Sequence, residues 1–572
     1  MKTYRKIILT GTGLLCVAAA TAQEQKKDST LNRTVVVENQ YNPEVMDAFK
    51  VNVLPKVEEP AVAKKNIDYA TSLSPLASYA FEPMGVITRD VKQKGARRGY
   101  LRGAYGMLNN TDVKAAYLWD ITRRDRLDVM ASFYGYSGDV ESPWGFDNNQ
   151  RFFRSDASLE YSHVFNNVKF NLGGSFGSQV FNYIPITKME SELSAEGSEV
   201  NGSSNQHFMM GEGHLGVNSI EGQLPMDFSV MLGFDGFKRM HDVYGLQPAL
   251  TQKRFYALGG MSAPLAEEQK VGIDLGANYV MYSDEASVAA NEVYPAFENN
   301  ILVQVNPYYA LERENLTIRL GAHVDYQSKV RSGLKVSPDV KLDFSFLDSY
   351  VLYAQALGGT QLNDFNRLNK FTPYWNQAAQ LATTYTVFDA RAGFKASPVN
   401  GLGFHLYGGY RLTKDDLFVN VDTSYSSSNS FVAVDIVQDK SKVAYFGASI
   451  DYDYRDVFGL GIRGQYNDWK IDNEANINYL RLKPEYTIGA TARAKVYKGV
   501  HALAEYQYEK RKKVSGTSTD PVNFLKVGAE YNYNDRINVF LHVNNLLDKY
   551  YLTEAGYPTL GLHIMGGVSV AF

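Results

Sequence analysis

One cysteine, Cys16, stands in 572 residues, and it lies inside the first apolar run of the chain. Once that run is removed the mature protein has no thiol, which excludes both a disulfide-stapled ectodomain and a thiolate metal site. Beyond this first run there is no stretch of about 18 apolar residues, so no membrane-spanning helix is expected. Basic charge is not in surplus: the formal net charge is −4, giving no support to nucleic-acid binding. Catalytic signatures are missing as well, with no HExxH, no GxSxG, no phosphate loop and no paired Cys motif. The nine histidines are scattered, and none lies at metal-ligand spacing from a second. His323 and Asp325 share a strand face, and a Ser-His-Asp group assembled across strands with His563 would be an accident of a polar wall. The sequence therefore predicts no enzyme, no metal and no cofactor.

What is present begins with Lys2, Arg5 and Lys6, an apolar segment from Ile7 to Ala20, and Ala20-Thr21-Ala22 before Gln23. This is the pattern of a secretory signal peptide over residues 1–22. Its removal takes three cations, moving the formal charge from −4 to −7. The remainder is rich in tyrosine and glycine, with 40 Tyr and 47 Gly against 4 Trp. Those proportions fit strands with interfacial aromatics better than helices.

Two-residue alternation is the dominant pattern. In the C-terminal "LHIMGGVSVAF", Leu562, Ile564, Val568, Val570 and Phe572 share one parity, while His563, Gly567, Ser569 and Ala571 take the other. Successive strand side chains point to opposite faces, so one face is apolar and one small or polar. The same alternation sets Leu316, Ile318, Leu320, Val324 and Tyr326 against Thr317, Arg319, His323 and Asp325. It recurs around Ile488–Val496, Leu525–Tyr533 and Ile537–Val543. Charges of both signs keep returning on the polar parity, which a dry sandwich core would reject and a watery lumen accepts.

Short connections such as 165–167, 347–349, 497–499 and 534–535 alternate with long ones near 179–205, 283–298, 360–385, 413–441, 468–480 and 546–559. That is a meander with tight periplasmic turns and longer outer loops. The expectation is an all-β transmembrane antiparallel barrel over residues 97–572, with roughly 22 strands of about 10–14 residues. Its lumen would be lined by Arg319, His323, Asp325, Arg411, Asp451, Arg463, Arg493, Lys495, Glu505, Lys526 and Glu530. On neighbouring strands these would form lateral ion-pair ladders that stiffen the wall or tune passage. Outside, the wall would meet outer-membrane lipid.

Residues 23–96 read differently. Pro43, Pro55, Pro60, Pro75 and Pro83 break any long helix or central strand. The segment is expected to be an extended periplasmic arm or a reduced plug. The basic run "VKQKGARRG" closes it. In the outer-loop stretch "NDFNRLNKFTPYWNQAAQ", Phe365, Phe371, Tyr374 and Trp375 sit among amides and Arg367. Aromatic faces beside amides make this a candidate ligand-binding loop. The alternative is that the loop packs its aromatics into the barrel mouth.

"NVFLHVNNLLDKYY" followed by a last strand ending in Phe572 resembles the C-terminus of TonB-dependent outer-membrane receptors. The resemblance covers residues 97–572 and implies an outer-membrane location and solute uptake. "YNPEV…VLPKVEEP" is similar to the N-terminal arm of outer-membrane barrels of the Bacteroidota type. "TVVVE", Thr34, Val35, Val36, Val37 and Glu38, resembles a TonB box or docking strand, which would bind by adding a strand to its partner. The departure is in the plug. Only about 60 residues separate Glu38 from Tyr100, roughly half of what a plug of this family needs. Two functions follow as expectations: a passive or partner-gated channel, or a barrel subunit of an outer-membrane complex docked to a periplasmic or outer-membrane partner through its arm. In either case the strand ending in Phe572 would be read by the barrel-assembly machinery.

Overall fold

The computed structural model describes residues 97–572 apart from 142–146, 186–203, 242–249, 284–286, 290–291, 295–296, 348, 376–379, 420–430, 433, 435, 515–519 and 555–556. The signal peptide, the arm and the Thr34–Glu38 stretch lie outside the described residues.

A single antiparallel sheet of 22 strands closes on itself. Each strand pairs with its sequence neighbours, and the first strand, Gly99–Gly106, pairs with the last, His563–Ala571, from Tyr100↔Ala571 to Gly106↔Met565. The even count lets first and last strands meet antiparallel and leaves no edge. Strands run from 8 residues in Gly99–Gly106 to 19 in Ile436–Tyr454, a wider spread than the alternation predicts. No helix among the described residues is long and apolar enough to cross a membrane. Crossing is by strands, whose backbone groups are all satisfied by closure.

The turns at the end carrying Gly99 and Phe572 are mostly tight, the connection 220–226 being longer. Val399↔Leu402 and Tyr497↔Val500 close two-residue hairpins. Gly401 and Gly499 have φ of +85° and +74°, the left-handed conformation such turns need and that L side chains resist. Connections at the opposite end are mostly long, which identifies it as the outer end. Two of them, residues 107–110 and 328–332, are short, so the alternation of connection length is not strict.

Side-chain parity follows the sequence pattern. Leu320, Tyr326, Ile488, Val539, Leu541, Ile564 and Val568 stand exposed on the outside, where a bilayer would cover them. Arg319 and Asp325 lie on the other face of their strand, within the wall's polar network. A closed barrel with an apolar exterior and a polar, charged interior is an outer-membrane barrel, because only lipid can cover the one and only water or protein the other.

Candidate functional site

Tyrosine is found on the inner wall as well as at the lipid interface. Tyr256 lies flat over Gly233, Tyr308 over Gly272, Tyr353 over Gly393 and Tyr407 over Gly447, each glycine on a neighbouring strand. A Cβ at these glycines would fall 2.1–2.5 Å from the ring, so the wall needs glycine there. This pairing explains part of the high Tyr and Gly content that composition alone assigns to interfacial belts.

Cations sit on the same rings. The Arg319 guanidinium lies 3.6 Å from the Tyr308 ring centre and donates to Asp339 at 2.7 Å and Asp274 at 2.9 Å. Arg391 lies 5.4 Å and 5.3 Å from the Tyr407 and Tyr445 rings and donates to the Tyr445 hydroxyl at 3.0 Å. Such contacts hold both ring and cation in place.

The lining residues read from the sequence occupy this wall in several settings. Asp325 is buried and accepts from the Thr360 backbone N–H at 2.7 Å. The His323 ring borders Gly359. Arg411 faces Asp389 across the ladder and lies 5.7 Å from the Trp469 ring. Asp451 and Arg463 sit on adjacent strands, near enough to interact. Arg493 approaches Glu530 at 4.0 Å, Lys526 pairs with Glu505 at 3.7 Å, and Lys495 reaches Asp456 of the adjacent tight turn at 2.9 Å. These are lateral pairs, and none converges on a single centre.

The convergent feature is at the outer mouth. In the connection 362–383 the described residues 362–375 fold inward and carry the helix Phe365–Phe371. Asp364 caps that helix by accepting from the Arg367 N–H at 2.8 Å, Lys370 stands in its last turn, and Pro373 follows its end. Phe365 and Trp375 are 2% and 0% exposed, Tyr374 is buried and Phe371 is packed against them. Of these four aromatics, read from sequence as a candidate ligand-binding loop, Phe365, Tyr374 and Trp375 are buried in the mouth and Phe371 is partly buried beside them.

Their partners come from all around the rim. Trp375 lies 5.1 Å from Phe365, 5.7 Å from Phe208 and 6.1 Å from Phe237, measured between ring centres. Tyr374 stacks on Tyr557 at 3.5 Å with planes 7° apart, and Phe181 meets it edge-on at 5.4 Å. Tyr183, Ile184, Leu250, Phe297, Val434 and Ile436 complete one apolar core. Val434 also donates its N–H to the Tyr374 carbonyl at 2.9 Å. Burial of several aromatics in one cluster stabilises this closed arrangement by far more than any single contact in it.

A polar clamp holds the helix from below. Arg254 bridges Asp235 at 2.5 Å and the cap carboxylate of Asp364 at 3.5 Å. Asn366 donates to Asp235 at 3.1 Å, the Phe365 N–H donates to Gln252 at 2.7 Å, and the Asn369 and Gln179 amides exchange hydrogen bonds at 3.0 and 3.2 Å. Burial lowers the Arg367 pKa to about 10, with Asp416 and Asp364 opposing the shift. Beneath the helix is a chamber of about 250 Å³ whose wall includes Arg154, Asp156, Glu212, Asp235, Arg254 and Lys370.

An aromatic segment is thus packed at the outer mouth above a chamber lined by charged side chains. Among the described residues no group of three or more His, Cys, Asp or Glu side chains could hold a metal ion. Phe181, Phe208, Phe237, Arg239 and Gln252, all central to the mouth, are not among the residues the sequence singles out. Their signal is present in the sequence as aromatics sharing the inner parity with Gln179, Gln206 and Arg239 near strand ends.

No protein-family model matches the sequence, and no curated protein matches it. Solved structures do match the fold. The FrpB iron transporter from Neisseria meningitidis is 10% identical, with 84% of this chain and 82% of that chain covered at a TM-score of 0.63. The siderophore receptor PirA from Pseudomonas aeruginosa is 13% identical over 84% of this chain and 81% of that one, at 0.59. The copper transporter OprC is 11% identical over 83% and 80%, also at 0.59. What this chain shares with these receptors and transporters is their fold, a 22-strand outer-membrane barrel.

Proposed function

We propose that the chain is an outer-membrane channel for solute uptake whose outer mouth is shut by the 362–383 lid, and that a ligand or protein partner opens it. One observation carries this reading. The lid's aromatics form a single buried core with residues from several other outer segments, and that core sits over a polar chamber. A wall that served only as scaffold has no need of a chamber with balanced charge beneath a removable cover. The fold supports the same direction, since proteins named as iron and copper transporters share it.

In this reading Phe572 has two uses. It stacks on Tyr117 at 6.2 Å between ring centres, helping to close the barrel, and it offers the barrel-assembly machinery a terminal aromatic.

The test replaces Phe365–Trp375 by a short Gly-Ser linker and measures conductance in planar bilayers. A second form also lacks residues 23–96, the candidate arm or reduced plug. The reading expects open-channel current from the lid-replaced chain, larger when residues 23–96 are removed too. Silence from both folded forms would refute it.

A further inference from the structure

We propose that Arg239 is an anion-recognition residue of the mouth, masked in the closed state by Trp375 of the lid. The proposal rests on the reading of connection 362–383 as a lid. Arg239 is 0% exposed, at the outer end of the strand Asp227–Arg239. Its guanidinium lies 5.6 Å from the Trp375 ring and reaches the Tyr183 hydroxyl at 3.3 Å. Among the described residues Nε and Nη1 have no hydrogen-bond partner. Two other inner-wall arginines are matched to acids: Arg254 to Asp235 and Asp364, Arg319 to Asp339 and Asp274.

A buried guanidinium without a carboxylate is costly, and an apolar residue of similar volume would close the lid more firmly. Arg239 is therefore poorly explained as part of the seal. Its surroundings indicate what it awaits. Gln252 lies one inner position further along the facing strand, also fully buried, and its amide Nε2 is unpartnered among the described residues. These unmet groups, Arg239 Nε and Nη1 and Gln252 Nε2, are all donors. The ligand that satisfies them is rich in acceptors: an oxyanion, carboxylate or phosphate, which a guanidinium binds through paired N–H donors. Phe208, paired with Arg239 across the strands, stays on the wall, lowers the local dielectric and strengthens such a contact.

The lid and the anion then compete for one group. In the closed state the Trp375 face holds the cation. When the lid lifts, Arg239 is presented with Tyr183 and Gln252 beside it. An anion that binds this exposed form better than the masked one shifts the lid toward open by that difference in affinity.

The experiment uses citrate as probe and maltose as the uncharged control, titrated by calorimetry into the detergent-purified full chain. Three forms are compared: intact lid, Phe365–Trp375 replaced by a Gly-Ser linker, and the replaced form carrying Arg239→Gln. Charge-assisted hydrogen bonds predict citrate binding about tenfold tighter in the lid-replaced form than in either of the others, with Arg239→Lys retaining part of it. Maltose should not distinguish the three. Equal citrate binding after Arg239→Gln overturns the recognition role, and equal binding by the intact chain overturns the masking. If the linker form loses the heat-modifiable gel mobility of a folded barrel, Trp375→Ala replaces it with the same expectations. Arg239-dependent binding in a form that conducts nothing would sink the transport reading and leave the anion site standing. Conductance with Arg239-independent binding would do the reverse.

Discussion

Trp375→Ala removes the side chain on which the lid's core is centred. Trp375 is fully buried and packs against Phe208, Phe237 and Phe365, with Val434 bridged to it through the backbone. Truncating a buried Trp to Ala costs about 3–5 kcal/mol in a packed core. The 22-strand pairing uses no residue of Phe365–Trp375, so the loss is assigned to the closed state. At 1.4 kcal/mol per tenfold, the open-to-closed ratio rises between about a hundredfold and a few thousandfold. Removing the ring also takes away the π face over Arg239, so the guanidinium gains by hydration when the lid lifts. Single-channel recording of the full-length variant should show frequent openings where the parent shows rare ones. Antibiotic-uptake or liposome-swelling assays should move the same way. Unchanged open probability in a variant that keeps its folded-barrel mobility would refute the assignment of 362–383 as the gate.

Asp364→Ala removes both the helix cap and the second carboxylate of Arg254, costing about 1–2 kcal/mol. Amide exchange over Phe365–Phe371 should accelerate roughly 5- to 30-fold while the strands are unaffected. Gly447→Val would drive a Cβ to within 2.3 Å of the Tyr407 ring, and overpacking of this kind costs about 1–3 kcal/mol. Its thermal midpoint should fall, and combining it with Tyr407→Ala should recover part of the loss. Lys442 and Lys440, through hydrogen bonds to its carboxylate, hold Asp472 below the usual carboxylate range. This contribution is complete above the ordinary Asp value near 3.9 and is lost as pH falls through the lowered one. Asp472→Asn should accordingly show a smaller loss of thermal stability below pH 4 than the parent. Phe572→Ala should reduce the amount of barrel inserted in the outer membrane, measured by surface labelling, more than it lowers the melting midpoint of what is inserted.

The wall was readable because lipid and water impose a period of two on every strand, and each strand carries that record in its own residues. Leu320 and Tyr326 facing out with Arg319 and Asp325 on the opposite face needs no knowledge of the neighbouring strand. Closure followed from the even number of such segments and from the terminal run through Phe572. The mouth was hidden for the opposite reason. Whether Phe365 and Trp375 face a ligand or a neighbour depends on Phe208, Phe237, Val434 and Tyr557, which lie up to about two hundred residues away. The glycines under Tyr256 and Tyr407 were equally out of reach, because the match is between strands and exists only once their register is set. Arg239 looks like any charged strand terminus until its cover is seen.

At the inner seam, the Arg98 and Gly99 N–H groups donate to the Phe572 carbonyl at 2.9 and 2.7 Å, and the Phe572 N–H returns a bond to the Gly99 carbonyl at 2.9 Å. The barrel's two ends therefore touch, and as far as the wall is concerned the chain is a ring that happens to be cut there. A circular permutant that runs Phe572 through a brief linker into Gly99, with new ends in the short 328–332 connection, keeps every strand pairing. It also moves the terminal aromatic to the interior of the sequence. Such a molecule would separate the joining of the barrel from the proposed reading of Phe572 by the barrel-assembly machinery.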